Sequence, residues 1–123
     1  MNAIPRLRAV RGATTVDADT SAEIRGRTGE LLAAILERND LRQADIVSVL
    51  FTATPDLSAD FPAVAAREMG LSATPLLCCQ EIPVRDAIAR CIRVLMHCYV
   101  PEGMQVRHVY LRDARQLRLD LPE

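Results

Sequence analysis

Apolar side chains at Ile24, Leu31, Leu32, Ile35 and Leu36 recur at the three-to-four-residue spacing that lays one stripe along a helix. Thr20 and Glu23 form a T-x-x-E capping box ahead of the stripe, and Asn39-Asp40 closes it, so an amphipathic helix is predicted between them. Elsewhere the pattern breaks into shorter runs. Leu7 to Val16 (LRAVRGATTV) mixes apolar and β-branched residues with arginines and passes through a glycine, as a strand does on reaching a site. Ile46 to Thr54 (IVSVLFTAT) is rich in β-branched residues and stops at Pro55, which predicts a buried strand. Phe61 to Met69 predicts a short helix, with Pro62 tolerated in its first turn and Gly70 just past its end.

Thr74 to Gln80 predicts a third strand, which delivers the hexapeptide LLCCQE at its C-terminal end. The stretch Cys91 to Val100 is ambiguous. Ile88, Cys91, Ile92, Leu95, Met96 and Tyr99 fit a helix, whereas the IRV and CYV clusters suit a strand, and periodicity alone leans towards helix. Gln105 to Leu111 alternates more cleanly, with Val106, His108 and Tyr110 on one face and Arg107, Val109 and Leu111 on the other. Leu117 to Glu123 is left as a tail able to lie over a neighbouring surface.

With 123 residues the chain fits one domain, residues 1–123, near the lower end at which a single core is comfortable. Half of it is apolar, yet the only aromatics are Phe51, Phe61, Tyr99 and Tyr110, so the core must be aliphatic. Such a chain gains from burying further surface against copies of itself. A formal net charge of -1 argues against a dedicated nucleic-acid partner, whose affinity would rest on a basic surface. No stretch approaches the roughly 20 apolar residues of a membrane span, and the start MNAIPRLRAVRG lacks the apolar run of a signal peptide, so a cytoplasmic protein with no membrane partner is expected.

The basic residues number fifteen, and all are arginine, which excludes Schiff-base chemistry at a lysine. Cys78, Cys79, Cys91 and Cys98 are expected as free thiols, because adjacent cysteines without C-x-x-C or a nearby histidine do not supply zinc spacing. Neither a G-x-S-x-G elbow, nor a phosphate-binding loop, nor a dinucleotide fingerprint is present, and two histidines with scattered serines make no arguable triad. What does recur is arginine in apolar surroundings: Arg11 after Ala-Val, Arg93 between Ile92 and Val94, Arg67 after Val-Ala-Ala. A guanidinium is costly to desolvate unless an anion faces it, and its planar fork suits a carboxylate. Each of these arginines could simply pair with Asp56, Glu68 or Asp86. Taken together, with Glu81, Cys78 and Tyr110 nearby in a folded sheet, they point towards a small dicarboxylate.

VRGATTV, TATPDL followed by FPAVAARE, then CCQE, CIRV and RHVYL stand in the order and approximate spacing of a known family. The chain resembles the monofunctional chorismate mutases of the trimeric α/β type from about Leu7 to Leu121. The resemblance implies an α+β fold: a mixed five-stranded sheet packed on one long helix plus a short helical turn, three copies of which form a homotrimeric pseudo-α/β barrel with active sites at the subunit interfaces. It implies a strand at Cys91 to Tyr99, against the helical periodicity. It further implies the rearrangement of chorismate to prephenate, a pericyclic step needing no metal, cofactor or covalent intermediate.

Position by position, Arg93 matches the family arginine that hydrogen-bonds the ether oxygen and a carboxylate. Arg11 and Tyr110 match carboxylate-binding groups. Cys78 and Glu81 match the pair at the ring hydroxyl, with Glu81 also stabilising positive character on the ring. The whole run Leu77, Cys78, Cys79, Gln80 and Glu81 is expected at the pocket, Cys79 with its side chain turned away. Phe61 and Arg67 match pocket-wall residues from the adjacent subunit, and Leu117 and Arg118 border the site. Val64 and Leu77 depart from the family lysine and threonine, and His108 matches no catalytic position. Two other readings are a trimeric imine or enamine deaminase in which Glu81 positions water, and a non-catalytic binding protein for an aromatic-pathway metabolite.

Overall fold

The computed structural model describes residues 4–120. In chain order the elements are β1 (Pro5–Thr15), α1 (Ser21–Arg38), β2 (Ile46–Ala53), α2 (Ala63–Glu68), β3 (Leu76–Gln80), β4 (Cys91–Pro101) and β5 (Val109–Tyr110), with 3-10 turns at Gln43–Asp45 and Arg112–Arg118. The five strands form one mixed sheet in the order β3-β2-β4-β1-β5. β4 is antiparallel to both β1 and β2, while β3 and β5 are parallel to their neighbours β2 and β1. This is the α+β arrangement expected, a mixed five-stranded sheet with one long helix and one short one.

α1 forms where the stripe places it. The Thr20 hydroxyl accepts the Glu23 N–H at 3.1 Å. Glu23 does not return the bond to Thr20 but accepts the Asp17 N–H at 2.9 Å, so the second half of the box ties down the lead-in from β1 instead. Ile24, Leu31, Leu32 and Ile35 are buried. Gly12 lets the helix approach the sheet, since a Cβ there would lie 2.8 Å from the Ile35 Cδ1 methyl and 3.2 Å from that of Leu31. α2 ends in a Schellman motif: Gly70 adopts φ 98°, its N–H bonds the Arg67 carbonyl, and the Leu71 N–H reaches back to that of Ala66.

Both helices cover the same face of the sheet. Val10, Val49, Phe51, Val94, Met96, Cys98 and Val100 bury their side chains there against Leu31, Leu32, Ile35 and the alanines of α2. Along β4 every even-numbered side chain from Ile92 to Val100 is buried, while Arg93 and Tyr99 are exposed and Leu95 and His97 half-buried. That period of two makes the segment a strand. The helical spacing read from it arose because both faces carry apolar residues.

The expected strand Gln105 to Leu111 shortens to Val109–Tyr110. Upstream, side chains take over the backbone bonds that a ladder would use: Asn39 holds both backbone groups of Arg107, and the His108 ring holds the Arg11 N–H. The Arg112–Arg118 turn folds over one end of the uncovered face, burying Ala13, Cys91 and Ala114 with Leu117 packed beside them. Of the expected tail, residues 121–123 lie outside the described residues. Among the described residues no helix is long and apolar enough to cross a membrane.

Candidate active site

Cross-strand partners share a face, so register decides which side chains meet. Arg93 stands opposite Ala13 on one side and Thr52 on the other, Thr52 stands opposite Cys79, and Tyr110 stands opposite Ala13. All belong to the face that the helices leave uncovered. There they line a cleft of about 350 Å³ formed by Arg11, Gly12, Leu50, Thr52, Cys79, Glu81, Arg93, Val94, Leu95 and Tyr110. Such a volume suits a small metabolite. A larger hollow of about 550 Å³ lies at the far end of α1, between Pro5, Asn39 to Arg42 and Tyr99 to Pro101. Its one arginine, Arg42, is paired with Asp45 at 3.6 Å, and the convergent chemistry belongs to the smaller cleft.

Glu81 extends the β2–β3 ladder by one residue, its N–H bonding the Ala53 carbonyl at 2.9 Å, and this holds its carboxylate over the cleft. The Thr52 hydroxyl donates to Glu81 Oε2, and Arg93 Nε stands 3.5 Å from the same oxygen. Arg93 remains 44% exposed, so its guanidinium still opens onto the cleft. Of the three acids able to pair with these arginines, Asp56 and Glu68 are occupied elsewhere. Asp56 accepts from Thr54 and from the Arg90 N–H, and Glu68 faces Arg25 at 3.4 Å.

Behind Arg93, the Cys91 thiol is pushed up to about 11 by burial, which outweighs the pull of the neighbouring guanidinium, and so it stays protonated at neutral pH. At the other end of the cleft, His108 accepts the Arg11 N–H through Nδ1 at 2.9 Å. Burial, and then the positive charges of Arg11 and Arg118, lower its pKa and keep the ring neutral. Arg118 grips Asp120 through Nε and Nη2 at 3.0 and 2.9 Å, which holds the end of the described tail beside Tyr110 and Arg11. No group of three or more His, Cys, Asp or Glu among the described residues is arranged to hold a metal ion.

The structure thus brings together Arg11, Arg93, Glu81 and Tyr110, with Arg118 and Leu117 at the border. It reverses the two cysteines. Cys78 stands opposite buried Phe51 and packs against the core, whereas Cys79 lines the cleft. The reason is strand parity: Glu81 prolongs the strand, so the side chain that shares its face is two residues back, not three. Gln80 takes the opposite parity and does not line the cleft, and exposed Leu77 lies on the cleft's face but outside its lining. Phe61, Val64 and Arg67 belong to the α2 layer behind the sheet, Phe61 65% exposed and Arg67 exposed, and none of them reaches this chain's cleft. Thr52 was missed from sequence, although a threonine at the end of a buried strand was the available signal.

The profile of the family described as chorismate mutase type I matches residues 7–121. Chorismate mutase AroH of Bacillus subtilis is 47% identical over 118 residues, covering 94% of this chain and 92% of that protein. Chorismate mutase AroH of Thermus thermophilus is 45% identical over 118 residues, covering 94% of this chain and 96% of that one. Among solved structures, a chorismate mutase from Clostridium thermocellum superposes with a TM-score of 0.85 at 45% identity, covering 89% of this chain and 98% of that one. The chain belongs to the type I chorismate mutases.

Proposed function

We propose that this single-domain protein is an isomerase that rearranges chorismate to prephenate in the cleft on the uncovered sheet face, with each site completed by a second copy in a homotrimer. The observation that carries the reading is the convergence of Arg11, Arg93, Glu81 and Tyr110 in one cleft of a chain that belongs to this family. Two arginines against one glutamate leave the lining at a net +1, which favours a dianion but does not neutralise it.

The reaction transfers no proton, so the work of the site is conformational and electrostatic. Arg11 and Tyr110 hold a substrate carboxylate, which fixes the flexible ether side chain over the ring and removes rotational freedom before the bond-forming carbons meet. Arg93 faces the ether oxygen, where negative charge grows as the C–O bond breaks. A donor already in place there stabilises the transition state without reorganising. Glu81, oriented by the Thr52 hydroxyl, accepts from the ring hydroxyl and opposes the positive character left on the ring. No residue needs to titrate for any of these steps.

The case for a shared site rests on what one chain leaves unfinished. Phe61 and Arg67 lie behind the sheet, so only another copy would bring them to a cleft on its front. Arg67 supplied in this way raises the lining to +2, the charge needed to match a dianion. The same front face carries Leu7, Leu77 and Tyr99, which are 51%, 57% and 48% exposed, an apolar surface suited to assembly into a pseudo-α/β barrel with α1 outside.

Chorismate loss with formation of prephenate, measured in the presence of a chelator, tests the activity, and sedimentation tests the trimer. The expected result is turnover by a trimer unaffected by chelation. Chorismate binding in calorimetry without turnover would overturn the catalytic reading, and full activity in a monomer would overturn the shared site.

A further inference from the structure

His108 stands outside the lining of the cleft, yet it sits at the end of an unusual chain of contacts. Asn39, 1% exposed at the C-terminus of α1, donates through Nδ2 to the carbonyls of Ile35 and Arg107, both at 2.9 Å, and its Oδ1 accepts the Arg107 N–H at 2.6 Å. Both backbone groups of Arg107 are thereby pinned to the helix. The next residue, His108, places ring Nδ1 2.9 Å from the Arg11 backbone nitrogen and accepts its N–H.

That N–H needs an acceptor. β1 and β5 are paired only at Gly12 with Val109 and Ala13 with Tyr110, so the ladder stops one residue short of Arg11. The Arg11 N–H points to the β5 side of β1, where no strand continues, and the imidazole fills the position that a carbonyl would take. We infer that His108 is a positioning residue for substrate capture: its Nδ1 fixes the backbone of Arg11, and with it the guanidinium at the carboxylate end of the cleft, on a support anchored at Asn39.

The inference rests on the reading of Arg11 as a carboxylate ligand. A residue acting through Arg11 supports ground state and transition state alike, so its loss is expected in KM with kcat preserved. A merely packing role would be served by any ring of similar size. The experiment compares His108→Phe, which keeps the ring volume and lacks an acceptor, with His108→Asn, whose Oδ1 takes the place of Nδ1.

Replacement by Phe is expected to raise KM for chorismate about five- to tenfold with kcat within about twofold, the loss of one hydrogen bond from an otherwise ordered group. Replacement by Asn is expected to bring KM back to within about twofold of wild type, on the same ground. Hydrogen exchange at the Arg11 amide gives a readout independent of turnover: slow in the wild type and the Asn variant, fast in the Phe variant. An unchanged KM in the Phe variant, an Asn variant no better than Phe, or an Arg11 amide equally protected in all three would overturn the inference. A wild type that does not turn over chorismate overturns the proposed function instead, and the exchange measurement then decides the His108 contact alone.

Discussion

Arg93→Ala separates catalysis from folding more sharply than any other substitution here. The side chain is 44% exposed, it meets the Cys91 thiol, and its ion pair with Glu81 at 3.5 Å is a long contact in a solvent-open cleft. Pairs of that kind contribute about 0–1 kcal/mol to stability. For a domain of this size the expected fall in Tm is therefore no more than about 2–8 °C. The effect on rate is of another order. Removing a preorganised donor to a developing oxyanion costs about 3–4 kcal/mol, or 10²–10³ in kcat. The substitution also leaves the Glu81 carboxylate facing a dianion without its cation, and like charges about 4 Å apart repel by roughly 4 kcal/mol at an effective dielectric of 20. Together these predict a fall in kcat/KM of about 10⁵ to 10⁶, shared between kcat and KM. Arg93→Lys keeps a point charge but loses the fork, and belongs between the two. Chorismate consumption followed by absorbance gives the rates, and thermal unfolding confirms that the variant folds. A folded Arg93→Ala enzyme within about tenfold of wild type would refute the electrostatic argument, because no loss smaller than one oxyanion donor fits it.

The two cysteines of the CCQE run should respond in opposite ways. Cys79→Ala is expected to lower kcat/KM severalfold with unfolding unchanged, whereas Cys78→Ala costs about 1 kcal/mol of stability and spares turnover, as denaturant titration beside kinetics would show. Gly12→Ala drives a methyl to 2.8 Å from Ile35 Cδ1 and is expected to destabilise by about 1–3 kcal/mol, partly recovered by Ile35→Val, which removes that methyl. Asp19 accepts the Ser58 and Ala59 N–H groups and the Ser58 hydroxyl, and Asp60 accepts from Ser21 and the Phe61 N–H; both pKa values are lowered by these bonds. Their contribution is present above the ordinary carboxylate range near 3.8 and is lost as pH falls through the depressed values, so an Asp19→Asn, Asp60→Asn double variant should show the flatter acid-unfolding curve. In the reaction itself, His108 is neutral and the Cys91 thiol, pushed up to about 11, is protonated, so kcat/KM is expected to be flat from about pH 7 to pH 8. A break in that range would mean that a titrating group takes part.

The parts legible in the sequence were those whose determinants are local. Thr20, the stripe from Ile24 to Leu36 and Asn39 specify α1 within twenty residues, and the helix forms there. β4 was not legible from periodicity, because a strand with apolar residues on both faces loses the alternation that distinguishes it from a helix. Only the match of CIRV to a family pattern gave the right element. The same match was less reliable for side-chain direction. It paired Cys78 with Glu81, and the strand then turned Cys78 to the core.

The support beneath the site depends on contacts that no local pattern announces. Asn39 reads as a helix stop, and so it is, but its buried amide also holds Arg107, 68 positions away, and His108 reaches Arg11 across 97. Neither contact follows from composition, period or motif, because each exists only once α1, β1 and β5 are packed. The proposed catalytic groups, Arg93 and Glu81, could be named in advance because the family resemblance carries them over position by position. What holds Arg11 in place could not, since there the chemistry is carried by an unpaired backbone N–H at the end of a ladder. This difference explains why Arg93 is expected to act on kcat as well as KM and His108 on KM alone. In the proposed mechanism one group meets the reacting oxygen, and the other decides only where the substrate's carboxylate is met.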